Sequence, residues 1–193
     1  METWSALPSL KISSSSRIGS AFAMRGVTDI RAAGRFLYEL PYGRNTERSD
    51  FMLVLLEARG TCSTKHGLLA ALAREQGAPL SLMLGVYEMS EANTPGVGAV
   101  LARNGLNSIP EAHCYVVWEG TSIDVTRSGV EPSEPIGRFL QEEMIAPEQI
   151  GEYKVAWHEA FIRDWANEGK DGSGLTFEQL WKIREDCIAA LGQ

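Results

Sequence analysis

No stretch of the chain approaches the roughly 18 consecutive apolar residues that a membrane-spanning helix needs, so no membrane partner is expected. The opening segment, Met1 to Ser16, lacks a charged region followed by a long apolar one and does not read as a signal peptide. With no export signal, the expected location is cytoplasmic. Cysteine is scarce and odd in number. Cys62, Cys114 and Cys187 cannot all pair within one chain, which points to free thiols serving either packing or chemistry. Basic charge is also in deficit: 18 Lys and Arg stand against 25 Asp and Glu, a formal net charge of -7. That balance argues against a surface built to neutralise phosphate, and no nucleic-acid partner is expected. Internal repeats and Cys-x-x-Cys pairs are absent. His158 has no second histidine four residues on, and Gly96-Val97-Gly98 is not followed by Gly-Lys-Ser/Thr.

What remains is an ordinary globular composition, 44% apolar and 22% charged over 193 residues, enough for one domain with a real core. The expectation is a single domain over 1–193, with a core at about 28–127 and a helical C-terminal extension at about 132–193. The Ser-rich first 20 or so residues read as a strand or loop, or a loosely held terminus. Thr28 and Asp29 cap a helix running to about Leu40, where Pro41 stops it. Phe51 to Ala58 suits a short helix or a buried strand. From Cys62 to Gln76 the leucines fall at helical spacing, and Gly77 and Pro79 end the helix. Leu80 to Met89 reads as a strand, followed by a turn-rich excursion with a short helix at Val97 to Arg103. Ala112 to Trp118 and Thr121 to Val125 read as a hairpin about Glu119-Gly120. Beyond Pro132 and Pro135, helices are expected at Gly137 to Met144, Trp157 to Asn167 and Phe177 to Leu191, with a short strand at Glu152 to Ala156. The class is segregated α+β.

Cys62 sits between Arg59-Gly60-Thr61 and the start of the strongest helix. Unpaired N–H groups and the positive end of the helix dipole stabilise a thiolate there, and Lys65 adds to this if it points that way. The same N–H groups can hold the negative oxygen of a tetrahedral intermediate. Strand alternation places His113, Tyr115 and Val117 on one face and Cys114, Val116 and Trp118 on the other. Across the turn, Asp124 falls roughly opposite Val116 or His113, depending on the register. A carboxylate on a neighbouring strand can fix an imidazole's tautomer and leave its other nitrogen for a thiol.

Gly60-Thr61-Cys62 opening a helix that ends at Arg74-Glu75-Gln76-Gly77-Ala78-Pro79 resembles the nucleophile segment of the transglutaminase-like superfamily. His113 before an aromatic-rich strand, then Asp124-Val125-Thr126, is similar to that family's second half. The likeness covers roughly residues 50–127. It implies a papain-like α+β fold, with a nucleophile helix packed on an antiparallel sheet, and a Cys-His-Asp triad. In that triad Cys62 is the nucleophile, His113 the general base and acid, and Asp124 the orienter. The side chain that helps form the oxyanion hole would be Asn45, with Tyr42 the next choice. The implied activity is amide or peptide hydrolysis, or acyl transfer, on a peptide or small acyl substrate through a thioester, with no cofactor and no metal. The alternative is an inactive fold of this type serving as a binding module.

A metal centre on Cys62 and His66, spaced i, i+4, with His113 or Cys114 as a third ligand, lacks a fourth ligand and is not expected. His66 then reads as a polar residue near the cleft or on the solvent side. Cys187, among Ile183, Ile188 and Leu191, reads as a core residue.

Overall fold

The computed structural model describes residues 3–129, 132–169 and 174–192. Residues 1, 2, 130, 131, 170–173 and 193, which include parts of the expected Ser-rich opening and C-terminal extension, lie outside the described residues. The helices are α1 (Arg17–Ala23), α2 (Ile30–Glu39), α3 (Leu53–Glu57), α4 (Cys62–Glu75), α5 (Gly98–Arg103), α6 (Glu152–Asn167) and α7 (Phe177–Leu191). The strands are β1 (Ser81–Met89), β2 (Ile109–Trp118), β3 (Thr121–Ile123) and β4 (Gln141–Ile145), in the sheet order β3-β2-β1-β4. Short 3₁₀ turns occupy Thr3–Ala6 and Pro147–Ile150. The class is α+β. Among the described residues, no helix is long and apolar enough to cross a membrane.

Local capping chemistry accounts for several boundaries. The Asp29 carboxylate accepts the Ala32 N–H at 2.8 Å to start α2, and the Thr176 hydroxyl accepts the Gln179 N–H at 3.4 Å to start α7. Glu119 and Gly120 take φ of 47° and 77°, the left-handed pair that a two-residue hairpin requires.

Three segments depart from expectation. The Ser-rich opening leads into a helix: the Ser16 hydroxyl accepts the Gly19 N–H at 3.2 Å, and Ile18 and Phe22 are buried. Residues 137–144 hold no helix, because Leu140 N–H donates to Val86 O at 2.6 Å and Phe139 packs edge-on against Tyr87, leading into β4. Gly85 admits that ring, since a Cβ there would collide with Phe139. Glu152 to Ala156 is the first turn of α6, not a strand: Lys154, His158 and Ile162 form a buried stripe at steps of four.

The chain folds as two compact units. The first comprises Met1–Leu84, Cys114–Ser128 and Glu143–Gly151. Its axis is α4, buried at every residue from Cys62 to Ala73, so the helix packs on all sides rather than along one stripe. Gly67 lets Ile150 approach to a distance at which a Cβ would be crowded at 3.0 Å.

The second unit comprises Gly85–His113, Gly129–Glu142 and Glu152–Gln193. Tyr87, Met89, Leu101, Ile109, Ile162 and Leu180 lie in its core, and Cys187 is buried with them as expected. Inside this unit Arg184 Nε and Nη2 donate to Glu111 Oε2 and Oε1 at 2.6 and 2.7 Å. His158 Nε2 lies 3.1 Å from Pro110 O, which only an Nε2–H can satisfy. Burial pushes His158 from the ordinary 6.5 down to about 4; the Glu111 charge opposes this, while Arg184 and Lys154 reinforce it. Since the unfolded chain takes up this proton first, stability from neutral His158 is complete above pH 6.5 and is lost as pH falls towards 4. The loss is on the order of 3 kcal/mol. His158→Gln, whose amide retains a donor for Pro110 O, should flatten that dependence in urea titrations between pH 7 and 4.5. A gap between wild type and variant that stays constant over the range would contradict the assignment.

Candidate active site

The approach to Cys62 is shaped by residues that leave little freedom. Ala58 takes a left-handed φ of 52° and ends α3. Gly60 N–H then donates to Pro41 O at 3.2 Å, and Gly43 N–H donates to Gly60 O at 3.1 Å. A Cβ on Gly60 would meet the Lys65 and Thr64 side chains at 2.9 Å, so only glycine fits this crossing. Thr64 Oγ1 accepts the Thr61 N–H at 3.0 Å, one of the donors left open at the helix start. Cys62 is thereby fixed as the first residue of α4, 8% exposed. Its sulfur lies 3.9 Å from Ser63 Oγ, which is itself 3.8 Å from the Cys114 sulfur.

Asp124 follows β3 directly. The hairpin register pairs Val116 with Ile123, so position 124 continues opposite Tyr115, between the two partners expected from sequence. Asp124 Oδ1 accepts the Thr126 N–H at 2.8 Å, and the Asp124 carbonyl accepts from Thr3 Oγ1 at 2.5 Å. The same Oδ1 lies 3.6 Å from His66 Nε2.

His66 is fully buried rather than solvent-facing. Its Nδ1 lies 2.8 Å from Cys62 O, and its Nε2 accepts the Val125 N–H at 2.8 Å. With Nε2 as acceptor, the proton sits on Nδ1 and the ring is neutral. Lys65 is also fully buried; its ammonium donates to Leu40 O at 2.6 Å and Thr126 O at 2.8 Å. Burial pushes Lys65 down to about 8, against the upward pull of Asp124 and Cys62.

His113 lies on β2 in the second unit, 8% exposed, its ring edge-on to Tyr87 with centroids 5.9 Å apart. Of the expected triad, Cys62 and Asp124 belong to the first unit. Asn45 is buried beside the helix start, with Nδ2 donating to Glu57 Oε2 and Arg59 O, both at 3.0 Å, and Oδ1 accepting from Thr64 Oγ1 at 2.8 Å. Both amide protons are therefore engaged in bracing the cap, which leaves no donor for an oxyanion in this arrangement. Tyr42 is bridged to Gly60, and the Arg127 guanidinium lies 5.9 Å from its ring centroid.

The roles of Lys65 and His66 escaped the sequence reading. The available signal was polar: Thr64-Lys65-His66 stands directly before the apolar run Gly67 to Ala73, and a polar run in a buried stretch of helix must find partners. Among the described residues, no three His, Cys, Asp or Glu side chains are grouped as metal ligands. No protein-family model, curated protein or solved structure matches the chain.

Proposed function

We propose that this chain is a cysteine-dependent amidohydrolase, peptidase or acyltransferase of the transglutaminase-like, papain-like type. The carrying observation is the first turn of α4, where Cys62 is held at the helix start while Lys65 and His66 bind the loop that bears Asp124. In this reading the Cys62 thiolate attacks an amide or related acyl carbonyl, and the α4 N–H groups receive the developing oxyanion. His113 is the general base and acid, protonating the leaving amine as the thioester forms, and Asp124 is the orienting carboxylate. Water or an amine then cleaves the thioester and frees the thiol. With Asn45 engaged, Tyr42 is the remaining upstream candidate for the oxyanion. The substrate is a peptide or a small amide.

One observation favours the second reading, a binding module without turnover: all three thiols are buried. Iodoacetamide kinetics separate the two. A live nucleophile makes Cys62 react far faster than Cys114 or Cys187, with a pH midpoint below the ordinary thiol value of about 8.5. Cys187 should be slowest, because burial pushes its thiol up to about 11, with Glu111 and Asp186 adding to the rise. A Cys62 rate no faster than that of Cys114 would favour the binding module.

A further inference from the structure

We propose that Lys65 and His66 clamp the 124–126 loop onto α4, and that His66 is the positioning residue that sets Asp124 against the nucleophile helix. This rests on the catalytic reading of Cys62 and Asp124. Consecutive helical residues diverge by about 100°, yet these two converge on adjacent residues of one loop. His66 Nε2 takes the Val125 N–H at 2.8 Å, and the Lys65 ammonium donates to Thr126 O at 2.8 Å. The loop is thus gripped by a donor and an acceptor immediately after Asp124. Thr3 Oγ1 holds the carbonyl of the same Asp124–Val125 peptide, and Thr126 N–H turns back onto the Asp124 carboxylate.

His66 also reaches the nucleophile's own peptide through Nδ1 and Cys62 O, 2.8 Å apart. One neutral imidazole therefore bridges the backbone of Cys62 to the amide beside Asp124. Lys65 performs the parallel task for α2, joining Leu40 O to the same loop. Thr64 completes the set by binding Asn45. Three successive polar residues in the buried part of α4 thus each anchor a segment remote in the chain. A helix serving packing alone would carry apolar residues there.

Two histidine replacements dissect the bridge. His66→Asn keeps a donor near Cys62 O but has no acceptor in reach of Val125 N–H; His66→Gln places an amide oxygen where Nε2 stood. The readouts are hydrogen exchange of the Val125 amide and the pH dependence of Cys62 alkylation by iodoacetamide. In His66→Asn, Val125 exchange should accelerate about tenfold or more. The alkylation profile should move in the same direction as in Asp124→Asn, with no further movement in the double variant. His66→Gln should recover both. Unchanged Val125 exchange in His66→Asn overturns the clamp, and an additive shift in the double variant overturns positioning through Asp124. If Asp124→Asn alone leaves the profile unmoved, the catalytic reading of Asp124 fails, while Val125 exchange still decides the clamp. Nitrogen NMR of the unmodified protein tests it without a variant: the clamp requires a neutral His66 ring protonated on Nδ1, and a proton on Nε2 overturns it.

Discussion

Cys62→Ala is expected to abolish acyl chemistry, with a rate loss of at least about 10³-fold, while the protein stays folded. The thiol is the only group in the proposed reaction that forms a covalent bond to substrate, so no neighbour replaces it. The fold should survive because alanine is the best helix former and Cys62 occupies the first helical position. p-Nitrophenyl acetate is a suitable first probe, since acylation releases p-nitrophenol and leaves a mass increment on residue 62. A panel of electrophilic amide mimics then narrows the acyl group. Asp124→Ala should impair the reaction less completely, because an orienting carboxylate leaves nucleophile and base in place. Undiminished acyl release by Cys62→Ala would remove the nucleophile assignment, and a loss in folded Asp124→Ala as deep as in Cys62→Ala would mean that the carboxylate does more than orient.

The parts of this arrangement that sequence disclosed are those fixed by short-range chemistry. Gly60 and Thr61 before an apolar run, with Gly77 and Pro79 after it, define α4 because helix caps and stops act within a few residues. The hairpin was readable for the same reason, since Glu119-Gly120 supplies the left-handed turn locally. What escaped depends on distant partners. The start of α1 is completed by Glu75, whose carboxylate accepts the Ile18 and Gly19 N–H groups from the far end of α4. Residues 137–140 have helical patterning, but the bond from Leu140 N–H to Val86 O prevails. Within the site, the place of Cys62 follows from local rules. The direction of Lys65 is set by Leu40 and Thr126, and the burial of His66 by Val125, all remote in the chain. Asn45 was singled out as an amide near the helix, yet its use depends on Glu57, Arg59 and Thr64 together.

Arg184→Met should cost the fold about 3–5 kcal/mol, because it strands a buried carboxylate. The Arg184 and Glu111 side chains are only 10% and 6% exposed, and the guanidinium grips the carboxylate through two nitrogens. Burial alone would raise the Glu111 pKa, yet the Arg184 charge and hydrogen bonds and the Lys154 charge, with His158 adding to them once protonated, outweigh it and leave the group below its ordinary value. Without Arg184 that balance reverses. Glu111 keeps its desolvation, loses the foremost of its counter-charges, and holds a proton to higher pH than the unfolded chain does. A carboxyl raised in the folded state loses stability as pH rises through the unfolded value, so the deficit should be greatest near neutrality and narrow in acid. Lysine cannot restore the interaction, having no planar fork to match both carboxylate oxygens. Removing the carboxylate as well, in Glu111→Leu with Arg184→Met, should recover most of the loss, since what destabilises is the unpaired charge rather than the missing pair. Urea denaturation of the two single variants and the double variant at pH 7 and pH 5 measures each step. A single-variant loss below about 1 kcal/mol at pH 7 would show that water reaches Glu111 and that the pair is an ordinary surface bridge.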